Sequence, residues 1–332
     1  MNHRKTSTLL TSALVVSLSF GAAPYSASPV WSQAAQAAPA NAEEYRLGRY
    51  TYEGHGSVNT HWIETANGVI VIDTQRDTQH AAEALAAVKA LGKPVLAIFV
   101  THGHPDHYTG LDQFRAEWPD AEIFASAETA RVIETDHYGY HQVVRDLAPQ
   151  AAPDQFIVPT RIIGPDETIE IDGVSIVTRE MGASEATGAT ALYLPATGDL
   201  YTGDTVLNRM HGFFLEERSD AVLATFDAYR VLFPDAVTIH PGHGEPGPAS
   251  RLIAESESYT IDARSLAAAA IAAGLDDEAI VLEVRDRLFA AYPGHTVPGG
   301  QPNMVELSVR GLLAELRGKA IVEALADTGE GQ

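Results

Sequence analysis

Apolar and polar positions in the first half of the chain follow the alternation of strands and helices found in α/β proteins. Short, nearly continuous apolar runs predict buried strands, whereas apolar residues three and four positions apart predict helices. Strands are predicted at 68–73, 95–100 and 122–125, with helices at 78–91 and 110–118 between them. This β-α-β-α-β order predicts a sheet covered by helices.

The middle of the chain has a different pattern, in which short apolar segments are separated by glycine, proline and aspartate. Such segments are typical of hairpins. Further strands are predicted at 155–159, 168–171, 174–179, 190–194 and 200–201. A helix from Ser219 to Phe233 ends before Pro234 and is followed by a last strand at 237–239.

After residue 250 the pattern is helical only. The segments 251–273, 276–290 and 303–325 carry the helical periodicity. We therefore predict a main domain over 38–250 and a helical C-terminal extension over 251–332, which could form a pocket wall or a homodimer contact.

The N-terminus has the three parts of a secretory signal peptide. Arg4 and Lys5 give it positive charge, an apolar stretch runs from Leu9 to Phe20, and Ala35-Gln36-Ala37 fits a cleavage site. A signal peptide over 1–37 predicts a periplasmic or secreted protein that leaves the membrane after cleavage. The alternative is a membrane anchor, for which the apolar stretch is short.

Charge and composition narrow the chemistry. The formal net charge of -22 disfavours nucleic-acid binding, because an acidic surface repels phosphates. A small-molecule substrate is the better expectation. The chain has no cysteine, which excludes disulfides and thiolate metal sites. A bound metal would therefore be held by histidine, aspartate and glutamate.

One short segment concentrates such ligands directly after a predicted strand. It contains His102, His104, Asp106 and His107. Neutral imidazoles are good zinc ligands, and Asp106 could orient or deprotonate a bound water. Zinc would lower the pKa of that water toward about 7. The alternative interpretation is a solvated histidine-rich turn.

This segment resembles the signature of the metallo-β-lactamase superfamily, and the resemblance extends over about 45–247. It implies an αββα sandwich, in which two mixed β-sheets lie face to face between layers of helices. It also implies that His102 and His104 bind one metal, and that Asp106 and His107 bind a second.

Two later segments resemble further landmarks of that family. Leu200-Tyr-Thr-Gly-Asp204 ends a predicted strand, and Asp204 would bridge the two metals. Pro241-Gly242-His243-Gly244 resembles the turn that gives the second metal another histidine, which would be His243. The neighbouring His240 is predicted to be structural or to support a ligand without binding the metal itself.

The sequence departs from the family pattern at one ligand. The family usually supplies a third histidine to the first metal from a glycine-rich turn, but the corresponding segment 182–188 has none and Glu185 stands there. If Glu185 is a ligand, its charge would favour a harder ion, so iron or manganese are alternatives to zinc at this site. If it is an ordinary loop carboxylate, the first metal is weak or absent.

Several aromatic and imidazole side chains are candidates for a substrate pocket, because rings with polar tips suit a pocket wall. The alternative is that they pack on the core. The candidates are Tyr108, Tyr138, Tyr140, His141 and His211.

The resemblance implies a hydrolase that uses metal-bound hydroxide, with two zinc ions, to cleave a carbonyl ester, lactone, amide or β-lactam bond. One alternative is a mononuclear iron dioxygenase acting on sulfur compounds, with two histidines and one aspartate as ligands. Another is a catalytically silent exported protein that binds a metal or ligand, an interpretation that depends on Glu185 in place of the usual histidine.

Overall fold

The computed structural model describes residues 45–147, 149–216, 218–300 and 303–319. The predicted signal peptide over 1–37 lies outside these residues. So does the end of the last predicted helix. Within the described residues, no helix is both long enough and apolar enough to cross a membrane.

The first sheet has six strands that lie side by side in chain order. The second strand pairs antiparallel with the first and the third, and the pairs from the third to the sixth are parallel. The strands are β1 (Arg46–Tyr50), β2 (Thr60–Glu64), β3 (Val69–Ile72), β4 (Val95–Phe99), β5 (Glu122–Ser126) and β6 (Arg161–Ile163).

The prediction of a strand at 155–159 is wrong, since this segment is irregular and β6 begins after it. Its apolar residues Phe156, Ile157 and Val158 pack against the helix-covered core of the first sheet. Their apolar side chains serve this packing, whereas the apolar pattern had predicted that they form a strand.

The second sheet also has six strands, and they too lie side by side in chain order, from the first of them at one edge to the last at the other. Only the pair β10 and β11 is parallel. The strands are β7 (Asp166–Ile171), β8 (Val174–Glu180), β9 (Thr190–Leu194), β10 (Asp199–Gly203), β11 (Thr238–Pro241) and β12 (Gly247–Pro248).

Helices cover both sheets and continue into the C-terminal extension. The Asp77 side chain caps the first of them by accepting a hydrogen bond from the His80 amide, and the last ends at Leu316, before the predicted limit. Two helices after β5 were not predicted. The helices are α1 (Thr78–Lys89), α2 (Pro105–Tyr108), α3 (Leu111–Glu117), α4 (Ala127–Thr135), α5 (Tyr140–Leu147), α6 (Ser219–Leu232), α7 (Ala249–Ala272), α8 (Asp277–Ala291) and α9 (Asn303–Leu316).

The layers follow from which face of each strand is apolar. Ile70 and Phe99 of the first sheet and Ile176 of the second belong to one buried cluster, which lies between the sheets. The opposite faces pack on helices, as Val71 does with residues of α1 and α3, and Leu200 with residues of α6 and α7. The predicted αββα sandwich is confirmed.

The C-terminal helices have a core of their own and are joined to the sandwich next to β10. Residues of α7, α8 and α9 share a buried apolar cluster, which also includes Phe214 of the sandwich. The Phe214 amide donates to Ser308 Oγ at 2.8 Å, and Met210 forms a β-bridge with Thr296. The extension therefore fixes the chain segment that follows β10.

Candidate metal centre

The predicted ligands converge at one edge of the sandwich, where several strands end. His102, His104, Asp106 and His107 follow β4. Three other segments meet them there, as Asp204 follows β10, His243 follows β11 and Glu185 lies in the loop between β8 and β9. Ligands on loops at strand ends are held by a rigid scaffold and remain open to a cleft.

The first group of donor atoms comprises His102, His104 and Glu185. His104 Nδ1 lies 3.1 Å from both His102 Nε2 and Glu185 Oε1, and His102 Nε2 lies 3.8 Å from Glu185 Oε2. All three residues are buried, and one donor atom of each lies within 4.8 Å of the others. Glu185 thus points at the two histidines, as a ligand there would have to do.

The second group comprises Asp106, His107 and His243. Asp106 Oδ1 lies 3.8 Å from His107 Nε2, and Asp106 Oδ2 lies 3.5 Å from His243 Nε2. Their donor atoms also lie within 4.8 Å of one another.

Asp204 stands between the two groups. Its Oδ1 lies 3.4 Å from His107 Nε2, and its Oδ2 lies 2.9 Å from His243 Nε2 and 4.0 Å from His102 Nε2. One carboxylate therefore faces histidines of both groups, which is the position that a bridging ligand would take.

The donor atoms at the centre fit a divalent cation. His107 Nε2, His243 Nε2 and Asp204 Oδ1 are buried and, despite their mutual proximity, form no hydrogen bond of good geometry with the described residues. Leaving a buried polar atom unpaired costs about 1–3 kcal/mol, so three together need an explanation. Neutral imidazoles and carboxylates with their lone pairs turned inward are the donor set that zinc and harder divalent ions accept.

Each histidine of the centre is held through its other ring nitrogen. His107 Nδ1 lies 2.8 Å from Asp73 Oδ2, His104 Nε2 lies 2.8 Å from Glu216 Oε1, and His102 Nδ1 lies 3.0 Å from Thr101 Oγ1. His243 Nδ1 contacts the carbonyl of Ser57. A partner that accepts from one nitrogen leaves the other free to bind a metal.

These supporting residues were not predicted from the sequence. The sequence could have indicated Asp73, because this carboxylate ends the apolar run 68–73 and β3 lies beside β4 in the sheet. Glu216 and the Ser57 carbonyl had none, because nothing in their local sequence marks them as neighbours of a histidine.

We predict that Asp73→Asn lowers metal affinity or turnover about 10- to 100-fold, the usual effect of removing such a support. Asp73 Oδ1 accepts from the Thr101 amide, and Asp73 Oδ2 accepts from the Thr101 hydroxyl and His107, so whichever way an asparagine amide turns, its NH₂ group faces a donor and cannot accept. Metal affinity measured by competition with a chromophoric chelator tests this. Asp172→Asn, an exposed carboxylate bonded to Asn67, is the control. Wild-type affinity in Asp73→Asn would contradict the prediction.

Burial and mutual charge set the protonation of the centre. Burial raises the pKa of Glu185 to about 7, against the attraction of His104. Burial lowers the pKa of His102 well below its usual value, helped by His107 and His104. For His243, burial acts to lower the pKa, but Asp204 and Asp106 outweigh it and raise the pKa to about 10. Metal and protons therefore compete for the same atoms.

The backbone around Asp204 leaves no room for larger side chains. A Cβ atom at Gly242 would lie 2.1 Å from Asp204 Oδ1 and 2.8 Å from His107 Cε1. Gly203 has a φ of 54°, in the left-handed region that glycine adopts without strain. The glycines beside Asp204 and His243 thus allow the two strand ends to approach closely.

Two of the predicted pocket residues, Tyr138 and Tyr140, lie close to the donor atoms. Tyr140 packs edge-on against His104 and donates to Glu216 Oε1 at 3.2 Å, and the Tyr138 ring contacts the Tyr140 ring at a tilt of 34°. These two tyrosines lie beside the metal centre.

The remaining candidates do not reach the centre. Tyr108 is buried, and its hydroxyl lies 2.9 Å from His141 Nε2, while the His141 ring stacks on Phe156. His211 is fully buried, and its Nδ1 lies 3.0 Å from the hydroxyl of Tyr259 in α7. The structure places His211 between the sandwich and the C-terminal helices.

A family model described as the metallo-beta-lactamase superfamily matches residues 54–243. The chain belongs to this superfamily. Members of the superfamily bind divalent metals, and the buried histidines and carboxylates described above could hold such ions.

Two curated relatives and two solved structures illustrate the range of similar proteins. A hydroxyacylglutathione hydrolase from Synechococcus is 27% identical over 191 residues, covering 55% of this chain and 61% of the relative. A linear primary-alkylsulfatase from Pseudomonas is 26% identical over 236 residues, covering 60% of this chain and 44% of the relative. The chain thus spans about half the length of these two relatives.

Among solved structures, the sec-alkylsulfatase Pisa1 from Pseudomonas superposes with a TM-score of 0.61 at 17% identity, covering 86% of this chain and 52% of that one. The DIM-1 metallo-β-lactamase superposes with a TM-score of 0.53 at 17% identity, covering 67% of this chain and 94% of that one. At these identities the likeness concerns the fold.

Proposed function

We propose that this enzyme holds two zinc ions and hydrolyses a carbonyl ester, lactone, amide or β-lactam bond of a small molecule. The observation that carries the proposal is the pair of complete donor groups on either side of Asp204. His102, His104 and Glu185 would hold one ion. Asp106, His107 and His243 would hold the second, and Asp204 could contribute to both sites.

The bound ions would polarise the scissile carbonyl and lower the pKa of an attacking water. Asp106 is the carboxylate placed to orient that water and accept its proton, because its side chain is 28% exposed, against 8% for Glu185 and 7% for Asp204. Hydrolysis adds the water oxygen to the carbonyl carbon, breaks the bond to the leaving group and returns a proton to it.

A sulfate ester is a second candidate substrate. The alkylsulfatase superposition covers 86% of this chain, whereas the β-lactamase superposition covers 67%. The larger coverage of the alkylsulfatase superposition indicates that it includes part of the C-terminal helices as well as the sandwich. Cleavage of an alkyl sulfate would use the same two donor groups.

The two alternatives from the sequence give different outcomes in one experiment. A mononuclear iron dioxygenase needs two histidines and one aspartate, which leaves Asp106, His107 and His243 without a purpose. A silent binding protein would likewise have no reason to keep Asp106 partly exposed beside two buried histidines.

Elemental analysis of the purified mature protein, combined with a panel of a lactone, an aryl ester, a β-lactam and an alkyl sulfate, tests the proposal. We expect about two zinc ions per chain and turnover of at least one carbonyl substrate. Turnover of the alkyl sulfate alone would select the second candidate. Stoichiometric iron without hydrolysis would indicate the dioxygenase, and bound metal without turnover the silent protein.

The proposal includes export. A signal peptide over 1–37 would place the mature enzyme in the periplasm or outside the cell, where it would meet small molecules from the environment. N-terminal sequencing of protein from a fractionated culture tests this, since cleavage after Ala37 is expected.

A further inference from the structure

A cavity of about 280 Å³ extends from the metal centre toward the C-terminal helices. Glu185 and Asp204 line one part of it, and Tyr259 of α7 and His295 line another. This volume is near the lower end for ligand pockets, and it suits the part of a small substrate that does not react. The cavity therefore connects the proposed reaction site to the extension.

Apolar side chains form much of the cavity wall. Met210, Phe213 and Phe214 contribute from the segment after Asp204, and Val222 and Phe226 from α6. The ring of Phe213 lies edge-on to His104 at 5.6 Å, so the apolar wall begins beside the first donor group. A substrate held at the metals would meet apolar surface next.

Charge on the cavity is uneven. Arg251 and Glu255 both line it, and they form an ion pair at 2.7 Å, which offsets their charges. Arg209 also lines it, is exposed, and has no ion-pair partner among residues 45–147, 149–216, 218–300 and 303–319. Most of the described basic side chains form ion pairs, so Arg209 is one of a minority in the described part of the chain whose guanidinium could still pair with an anionic ligand.

The backbone holds Arg209 in a strained conformation. Its φ is 56°, in the left-handed region that few residues with side chains adopt. The Arg209 carbonyl accepts a hydrogen bond from the Thr296 amide at 2.8 Å, next to the β-bridge between Met210 and Thr296. Strain of this kind persists only where surrounding structure enforces it, and it concentrates at functional sites.

We propose that the cavity binds the non-reacting part of the substrate, and that Arg209 recognises a carboxylate on it. The substrates would then be esters whose acyl group carries a short apolar stretch ending in a carboxylate. The guanidinium fork matches a planar carboxylate in two parallel hydrogen bonds. This inference rests on the proposed ester hydrolysis and adds the substrate class.

Two aryl esters isolate the contribution of the substrate carboxylate to recognition. Mono-p-nitrophenyl glutarate and p-nitrophenyl butyrate differ only in that the first carries a carboxylate on the last carbon of the second. We expect the zinc-loaded wild type to favour the glutarate ester by about tenfold in kcat/KM, the scale of one charge-assisted hydrogen bond at an exposed site.

Arg209→Asn is the test variant, because asparagine tolerates a left-handed backbone. The preference for the glutarate ester should fall to about onefold, and Arg209→Lys should retain part of it. Arg46→Ala, which removes a largely exposed arginine on β1 outside the cavity, is the control and should keep the full preference. An equal preference in wild type and Arg209→Asn would overturn the inference.

Failure of the proposed function leaves a different signature. If neither ester is hydrolysed, the ester proposal fails, and calorimetric titration with glutarate alone decides the inference. Binding to the wild type that is lost in Arg209→Asn supports it. Equal binding to both proteins, or binding to neither, overturns it.

Discussion

Asp204→Ala should lose most of its bound metal and at least about 10³-fold in turnover, which corresponds to about 4 kcal/mol of activation free energy. Asp204 has carboxylate oxygens that face both donor groups, through contacts with His107, His243 and His102. Its removal would withdraw a negative charge from both ions. The neutral imidazoles that remain would also offset less of the positive charge of a bound cation.

Metal content and turnover of the same preparation measure this effect. Asp199→Asn is a matched control, since Asp199 begins the strand that Asp204 follows and is also largely buried. Asp199 bonds His240 Nε2 at 2.7 Å, and asparagine preserves an acceptor there. The control should keep its metal. An Asp204→Ala protein that retains two ions would show that the aspartate is no ligand.

Glu185→Ala should reduce bound metal from about two ions to one and lower turnover about 10²-fold or more. The Glu185 carboxylate lies within 3.1 Å of His104 Nδ1 and 3.8 Å of His102 Nε2, whereas the second group has its own three donors. The remaining ion would have to polarise the carbonyl and activate the water alone, with Asp106 as base.

Two further variants sharpen this result. Glu185→His restores the residue that the family usually places there, and we expect it to keep two ions. Glu128→Ala removes a partly exposed carboxylate that packs against Gly188 of the same loop and pairs with Arg131, so it is the control for loop disturbance. Two ions in Glu185→Ala would refute Glu185 as a ligand and favour an ordinary loop carboxylate.

The sequence predicted the parts of the centre that depend on local order. His102, His104, Asp106 and His107 share one turn after a strand, so a single segment contains most of the donors. Asp204 and His243 were assigned because their segments resemble later landmarks of the metallo-β-lactamase superfamily. The alternation of strands and helices predicted a sheet covered by helices, and the resemblance implied the sandwich.

The residues that the sequence did not predict depend on tertiary contacts. Glu216 meets His104 only because the segment after β10 crosses the site, and Arg209 lines the cavity only because Thr296 fixes its backbone. The irregular run around Phe156 has the apolar composition of a strand but packs on a helix-covered core. Composition cannot distinguish these two uses of apolar residues.

The β-bridge between Met210 and Thr296 has a consequence for how the protein opens. The Gly212 carbonyl accepts from Ser308 Oγ at 2.9 Å, so the stretch after Asp204 is tied to the extension at more than one point. Local unfolding of α9 would release that stretch and with it the support of Asp204. The change of sequence pattern at residue 250 therefore does not separate two independently unfolding units. Conditions that raise amide hydrogen exchange in α9 should also raise it in the stretch after Asp204.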